Sequence, residues 1–127
     1  MSPIPRLTAA LIAGLALATP AQAAPDATKR SCFHSSNISS YRAPDNKTVY
    51  LRVGVREIYQ LDLFGACTDV DWSEQIAIQS RGSSWICSGL DADIIAPSSI
   101  GPHRCPVRTL RKLTPQEVAA LPKGAKP

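Results

Sequence analysis

The amino-acid sequence predicts a mainly β fold: a small antiparallel β barrel or sandwich with a short C-terminal helix, stabilised by disulfides. Three observations predict this class. Short segments rich in β-branched and aromatic residues follow one another at close spacing, with clusters of turn residues between them. Four cysteines occur among only 127 residues, and the first residues have the pattern of an export signal. One small domain that matures in an oxidising compartment accounts for all three.

The first three strands are predicted from alternation and turn chemistry. Ile38–Arg42 precedes a cluster of turn residues at 43–46, and Thr48–Val53 then returns as a run of β-branched and aromatic residues. This pattern predicts a hairpin. Glu57–Leu63 alternates polar and apolar residues with one break in phase, so we expect a third strand with a bulge or a buried end.

Further strands and one helix are predicted in the second half of the chain. A loop at 81–84 between two apolar segments predicts a second hairpin, formed by residues 76–78 and 85–87. Thr114 and Glu117 match a capping box, so a helix should begin between them. The remaining predicted elements are the strands 90–95 and 105–110, the helix 115–121 and its stop at Pro122.

Residues 1–23 have the pattern of a cleavable signal peptide. Arg6 provides the positive charge, an apolar run of roughly a dozen residues follows, and Ala21 and Ala23 are the small residues that signal peptidase requires. A helix that spans a membrane needs about 20 apolar residues, more than this run provides. We therefore expect cleavage before Ala24, no stable membrane span afterwards, and a periplasmic or secreted protein.

Cleavage leaves a single small domain. Residues 24–31 are mostly polar, so they are expected to be a flexible leader. The β-rich domain is predicted at 32–121, and residues 122–127 are expected to be a loose tail. A mature chain of roughly a hundred residues has room for one modest hydrophobic core and excludes a second domain.

Cys32, Cys67, Cys87 and Cys105 are predicted to form two disulfides, because an even number of cysteines is typical of small exported domains. If the strands form an up-and-down meander, Cys32 and Cys87 lie at one end and Cys67 and Cys105 at the other. Bridged Cα atoms must lie within about 7 Å of each other, which favours those two pairs. A single crossover connection between strands would change the pairing.

Several short motifs together resemble a known family. They are Cys32-Phe33, Val49-Tyr50-Leu51, Tyr59-Gln60-Leu61 before Cys67, Trp85-Ile86-Cys87-Ser88 and Cys105-Pro106-Val107. With the spacing of the cysteines, they resemble an uncharacterised family of small exported bacterial (proteobacterial) proteins, known only as a domain of unknown function. The resemblance extends from Cys32 to about Leu113. It implies no activity.

The two histidines suggest a metal site as an alternative. His34 lies two residues after Cys32, and His103 lies two residues before Cys105. Residues two apart on a strand share a face, so adjacent first and last strands would bring these four side chains together as a Cys₂His₂ or thiol-dependent site. An oxidising compartment favours disulfides over thiolates. We therefore predict no metal and no cofactor, and expect both histidines at the surface.

The charged and aromatic residues indicate neither nucleic-acid binding nor catalysis. The chain has 14 Lys and Arg against 10 Asp and Glu, and this mild basic excess is spread along the sequence. It contains no metalloprotease, phosphate-loop, serine-hydrolase or CxxC motif. Asp91 and Asp93 are too few for a calcium site, so we expect them in turns or at the surface. Trp72 and Trp85 are expected in the core or at its edge.

These observations favour a non-enzymatic role. We expect a small exported, disulfide-stabilised interaction or structural module of the bacterial cell envelope, whose partner is another envelope protein or a ligand and not nucleic acid. One alternative is a metal-binding or thiol-dependent protein that uses Cys32, His34, His103 and Cys105. Another is an inhibitor of a secreted hydrolase that inserts the loop 96–104 into its target.

Overall fold

The computed structural model describes residues 31–127. The predicted signal peptide at 1–23 and the leader residues 24–30 lie outside the described residues. The strands and helix of the described range are β1 (Phe33–His34), β2 (Ile38–Arg42), β3 (Thr48–Val53), β4 (Glu57–Leu63), β5 (Ala77–Ser80), β6 (Trp85–Ile86), β7 (Ala92–Ala96), β8 (His103–Lys112) and α1 (Pro115–Ala120). Short 3₁₀ turns occur at Ser35–Asn37, Gly89–Asp91 and Lys123–Ala125.

Sequence alternation explains β3 and β4. In β3 the side chains of Val49, Leu51 and Val53 are buried while the residues between them are half-buried, as period-two alternation requires. β4 pairs with β3 without a shift in register, and Ile58 near its start is buried on the face opposite to Tyr59, Leu61 and Leu63, so the irregularity expected in β4 is a buried end. The pairing with β8 shifts register next to Leu63, where β8 has one extra residue, Arg108. The β2–β3 hairpin and β4 have the predicted bounds.

The helix α1 begins at a capping box. The Thr114 hydroxyl oxygen accepts a hydrogen bond from the Glu117 N–H at 3.3 Å, and the Glu117 carboxylate accepts one from the Thr114 N–H at 2.8 Å. Pro115 occupies the first helical position, where an N–H has no intrahelical partner. The helix ends at Ala120, close to the predicted stop at Pro122.

Six strands form one antiparallel sheet in the order β2-β3-β4-β8-β7-β5, and β1 pairs with β6 in a separate two-stranded ribbon. The sheet is curled, so its edges β2 and β5 approach each other. The Tyr41 hydroxyl on β2 donates a hydrogen bond of 2.8 Å to the Ser73 carbonyl, shortly before β5. The predicted mainly β, disulfide-stabilised fold with a short C-terminal helix is therefore confirmed, with a half-barrel as its form.

The hydrophobic core lies inside the curl. Each central strand contributes alternate apolar side chains, and the ribbon adds Phe33 and Ile86. The rings of Phe33 and Tyr59 contact each other with centroids 4.6 Å apart, which joins the ribbon to β4. Burial of a side chain of this size contributes about 1.5 to 3 kcal/mol. The buried core residues of the sheet include Val49, Leu51, Val53, Tyr59, Leu61, Leu63, Ala92, Ile94, Ala96, Cys105 and Val107.

The predicted second hairpin is wrong. β5 pairs with β7, and β6 pairs with β1. A disulfide between Cys32, just before β1, and Cys87, just after β6, provides the physical reason, since it joins the two strands of the ribbon directly. Local composition predicted strands at these positions correctly, but it contains no information about which strand each one pairs with.

The segment 122–127, expected to be a loose tail, is instead held against the sheet. It contains the 3₁₀ turn Lys123–Ala125, whose last residue is buried. The guanidinium of Arg52 on β3 donates a hydrogen bond of 3.0 Å from Nε to the backbone oxygen of Pro127. A small apolar residue and one long-range hydrogen bond therefore order this segment, which short-range sequence patterns did not reveal.

Gly89 is a position where a side chain does not fit. An ideal Cβ there would lie 2.6 Å from the carbonyl carbon and oxygen of Arg108, which are backbone atoms of β8. The 3₁₀ turn that contains Gly89 therefore lies directly on the strand. We expect Gly89→Ala to lower the free energy of unfolding by about 2 kcal/mol, because the backbone must move to relieve the overlap. Urea denaturation followed by tryptophan fluorescence measures this change.

Gly65→Ala is the matched control for this substitution. A Cβ at Gly65 meets no atom within 4 Å, and its backbone is not in the left-handed region. We expect this variant to be unchanged or slightly more stable, because alanine restricts the unfolded chain. Equal stability of the Gly65 and Gly89 variants would contradict the close approach of the turn to β8.

Candidate functional site

Two disulfides connect the four cysteines of the domain. Cys32 is joined to Cys87 with Cα atoms 4.1 Å apart, and Cys67 to Cys105 with Cα atoms 5.7 Å apart. These are the pairs that the meander argument favoured, although the strands do not form a simple meander. The first bridge is near the surface, whereas both cysteines of the second are buried. The second bridge therefore belongs to the core.

Three connections meet at one end of the half-barrel, which we call the loop end. They are the turn 43–47, the loop 64–76 and the loop 97–102. The Leu63 N–H donates to the Lys47 carbonyl at 2.8 Å, and the Cys67 N–H donates to the Asn46 carbonyl at 2.7 Å. The disulfide to Cys105 then fixes the loop 64–76 to the start of β8. The opposite end has the turn between β3 and β4.

His103 lies beside the buried disulfide at the loop end. Its Nε2 is 3.7 Å from the Cys67 Sγ, and the possible ligand atoms of Cys67, His103 and Cys105 lie within 4.8 Å of one another. Cysteine binds a metal as the thiolate, and the sulfurs of Cys67 and Cys105 are both held in the disulfide, which leaves His103 as the one ligand of the three. This cluster is therefore not a metal site while the bridge is intact.

The four residues of the hypothetical Cys₂His₂ site are not brought together. Cys32 and His34 belong to the ribbon, while His103 and Cys105 lie on β8. The hypothesis required adjacent first and last strands, but β1 pairs with β6. His34 instead shares a 2.7 Å hydrogen bond between its Nδ1 and the Ser36 hydroxyl, and its ring meets the edge of Trp85.

Large apolar side chains are exposed at the loop end. Trp72 in the loop 64–76 is 83% exposed, and Ile100 in the loop 97–102 is 97% exposed. Ile100 also lines a shallow pocket of about 230 Å³ with Asp69 and His103. The loop end therefore has apolar groups at its rim and polar groups in its pocket, an arrangement typical of binding surfaces.

A buried carboxylate on β7 connects β8 to the residue that follows β5. Asp93 on β7 is fully buried, and it accepts hydrogen bonds from Arg81 Nε at 2.8 Å and from an Arg104 N–H at 2.9 Å. A second N–H of Arg81 also bonds to this carboxylate. These hydrogen bonds, that of Arg81 foremost, hold the pKa of Asp93 below its ordinary value. The arrangement satisfies a buried charge and is structural.

A larger groove of about 690 Å³ runs along the second half of β8. Tyr59 lies at its base, and burial raises the pKa of the Tyr59 hydroxyl. Arg111 is paired with Glu117 at 2.5 Å, and Lys112 with Glu57 at 2.6 Å. The other lining residues are Ser31, Cys87, Ser88, Gly89, Arg108, Thr109, Leu110, Leu113, Thr114 and Pro115.

One family-level comparison identifies the chain. The sequence model of DUF6491, a family of unknown function, matches residues 4–126. The chain belongs to the DUF6491 family. The match includes the whole stretch over which the cysteine spacing and short motifs resembled a domain of unknown function, so that resemblance is confirmed. No curated protein and no solved structure matches this DUF6491 chain.

Two general properties of this DUF6491 protein follow from its structure. Its two disulfides indicate maturation in an oxidising compartment outside the cytoplasm, because cytosolic thiols are kept reduced. Between residues 31 and 127, neither the α-helix nor a 3₁₀ turn has the length and apolar composition of a membrane-spanning helix.

Sequence reasoning placed several residues of the DUF6491 domain incorrectly. Trp72 and Trp85 are both exposed, although they were expected in or near the core. The polar residues around Trp72 were an indication of its exposure. It lies in the turn Asp69-Val70-Asp71-Trp72-Ser73, where only Val70 is buried. Asp93, expected at the surface, is buried; its position beside two isoleucines of a predicted strand was the available indication.

Proposed function

We propose that this protein is an exported, non-catalytic binding module of the bacterial cell envelope that contacts a partner protein through its loop end. The observation that carries the proposal is the exposure of Trp72 and Ile100, at 83% and 97%, on two loops next to one disulfide. Burial of each side chain in a partner would contribute about 1.5 to 3 kcal/mol. Tryptophan is also among the residues most enriched in the energetic centres of protein interfaces.

The loops that present these side chains are restrained before binding. The Trp72 N–H donates to the Asp69 carbonyl at 3.2 Å, and the Ser98 hydroxyl donates to the Gly101 carbonyl at 2.5 Å. The disulfide at Cys67 holds the base of the first loop. Preformed loops lose less conformational entropy when they bind, which favours affinity. This supports recognition of a partner by a rigid surface.

The chemistry of the domain supports protein binding over catalysis or nucleic-acid binding. His34 is engaged by Ser36 and Trp85, and His103 adjoins a disulfide sulfur. Four basic residues of the described range are in ion pairs, namely Arg81, Arg104, Arg111 and Lys112. These pairs leave no continuous basic stripe of the kind that neutralises a phosphate backbone.

Export is tested by the intact mass of the protein recovered from the periplasm or medium. We expect a mature chain that begins at Ala24 and is lighter by four hydrogens than the reduced polypeptide, with no alkylation before reduction. An uncleaved chain recovered only from the cytoplasm, or cysteines that react with alkylating reagent in the native protein, would contradict export and maturation in an oxidising compartment.

Partner binding at the loop end is tested by photo-crosslinking in cells. The photoreactive residue benzoyl-phenylalanine replaces Ile100, Trp72 or, as the matched control, Val55. Val55 is 82% exposed and lies in the turn between β3 and β4, at the opposite end of the half-barrel. We expect an adduct of one discrete mass from positions 100 and 72 and none from position 55. Equal crosslinking at all three positions, or no adduct at any, would overturn the proposal.

A second candidate function is inhibition of a secreted hydrolase by the loop 97–102. The almost complete exposure of Ile100 favours it, because an inhibitory loop must project a side chain into a pocket of its target. The crosslinked partner decides between the two functions. If the adduct contains a hydrolase, its activity should fall on titration with the purified protein and recover with Ile100→Asp.

A further inference from the structure

We propose that the groove beside β8 binds an extended, acidic peptide segment of a partner protein, which adds to the free edge of β8 as an extra strand. This surface is separate from the loop end, and the proposal does not depend on the function proposed above. It rests on the pairing of β8, the direction of its backbone groups and the charges along the groove.

The second half of β8 has a strand on only one side in the described part of the chain. β4 pairs with β8 from Val107 to Lys112. β7 pairs with β8 only from His103 to Pro106. Beyond that point the chain before β7 forms the 3₁₀ turn Gly89–Asp91 and leaves the sheet. The edge of residues 110–112 therefore faces the groove without a strand beside it.

Backbone direction identifies which groups face the groove. The Leu113 N–H donates to the Ile58 carbonyl of β4 at 2.8 Å. Along an antiparallel strand the N–H and C=O of successive residues point to alternate sides. Leu110 and Lys112 therefore direct their N–H and C=O away from β4, into the groove. An added strand forms main-chain hydrogen bonds with N–H and C=O groups that point outward from a sheet edge, and these two residues provide such groups.

The groove has the dimensions of a short extended segment. Its volume of about 690 Å³ lies within the range of ligand sites, about 300 to 1,000 Å³. A strand rises about 3.3 Å per residue, so roughly three residues of an added segment lie beside the free edge 110–112. The turn at Gly89 covers the backbone of Arg108 just before that edge. The apolar groups of Tyr59, Leu110 and Leu113 line the same groove. Apolar side chains on one face of an added strand have a surface to contact there.

The charges of the groove select an acidic occupant. Arg111 and Lys112 are already paired with Glu117 and Glu57. Arg108 is exposed, and in the described part of the chain it has no acidic partner. It also lies where the 3₁₀ turn meets β8, at the entrance of the free edge. A carboxylate on the incoming strand would complete this ion pair, whereas a basic side chain would be repelled.

The binding test uses two synthetic hexapeptides with the mature protein. Acetyl-Thr-Val-Asp-Val-Thr-Val-amide is the acidic probe, and the same peptide with Lys in place of Asp is its control. We expect the acidic peptide to bind at least tenfold more tightly by fluorescence anisotropy. NMR of the complex should show amide exchange slowed at least tenfold at Leu110 and Lys112 and unchanged at Ile100.

Charge reversal distinguishes a paired strand from non-specific attraction. Arg108→Glu should weaken binding of the acidic peptide about tenfold and strengthen binding of the lysine peptide. Arg42→Glu, which makes the same change at an exposed site on β2, should leave both affinities unchanged. Equal loss in the two variants, or no binding of either peptide to the unmodified protein, would overturn the proposal. Slow exchange of the Leu110 and Lys112 amides without peptide would also overturn it, because the edge would already be occupied by the protein itself.

Discussion

Replacement of Cys67 and Cys105 together by alanine is expected to lower the free energy of unfolding by about 4 kcal/mol. The bridge closes a loop between residues 38 positions apart, and the entropy that it removes from the unfolded chain has this magnitude. Both cysteines are buried, so the variant also loses packing within the core. A domain of this size is stable by only about 5 to 15 kcal/mol. Urea denaturation under non-oxidising conditions measures the difference.

The double variant Cys32→Ala/Cys87→Ala is the control for that measurement. Its bridge has a sequence separation of 55, so chain entropy alone predicts a loss of about 4 kcal/mol as well. The bridge joins the small ribbon near the surface, so we expect amide exchange to accelerate first in β1 and β6. A Cys67/Cys105 variant with less than about 1 kcal/mol of lost stability would contradict the role assigned to the buried bridge.

Asp93→Ala is expected to lower the free energy of unfolding by about 3 kcal/mol. The substitution removes the common acceptor of Arg81 and Arg104 and so breaks the link from β7 to β8 and to the residue that follows β5. Removal of one partner from a fully buried pair costs about 3 to 5 kcal/mol. The side chains of Arg81 and Arg104 are 46% and 55% exposed, so water can solvate both guanidinium groups once the carboxylate is removed. The expected loss of stability is therefore at the lower end of that range. Glu57→Gln, which breaks an exposed pair, should cost less than about 1 kcal/mol.

The same carboxylate predicts a pH dependence. Hydrogen bonds from Arg81 and Arg104 hold the pKa of Asp93 in the folded protein below its unfolded value of about 3.9. Its contribution is therefore complete above about pH 5 and is lost as the pH falls through the folded pKa. The pKa of Glu117 is also lowered, but Glu117 is present in both the unmodified protein and the Asp93→Asn variant, so its contribution cancels when the two are compared. We expect the stability advantage over Asp93→Asn to shrink between pH 5 and 2, as followed by denaturation at each pH; a constant advantage would contradict this.

Strands were predictable from the sequence where alternation and turn chemistry agree. β2 and β3 have their predicted bounds because the Ala43-Pro44-Asp45-Asn46 turn leaves little choice of connection. Pairing partners were not predictable in the second half. Two strands next to each other in sequence pair with β7 and β1 instead of each other, since a disulfide and the core decide the pairing.

The candidate sites were less accessible to sequence reasoning than the strands. Trp72 was expected in the core or at its edge but is exposed, whereas Ile100 lies in the loop 96–104 that the sequence had already indicated as a projecting segment. Val70 and Cys67, from the same loop as Trp72, are the residues that belong to the core. The groove along β8 depends on where β7 ends, which is a property of three-dimensional pairing. Local residue patterns therefore do not predict such a free edge.

The two disulfides overlap along the chain, since one connects positions 32 and 87 and the other connects positions 67 and 105. Any single cut between Cys32 and Cys105 therefore falls within at least one of the closed loops. The exposed tip 97–102 and the turn 81–84 are the kind of segment that proteases cut first. A molecule cut there gains one water in mass but remains one covalent particle. In a compartment rich in proteases, a nick at either place leaves the fragments of this domain connected.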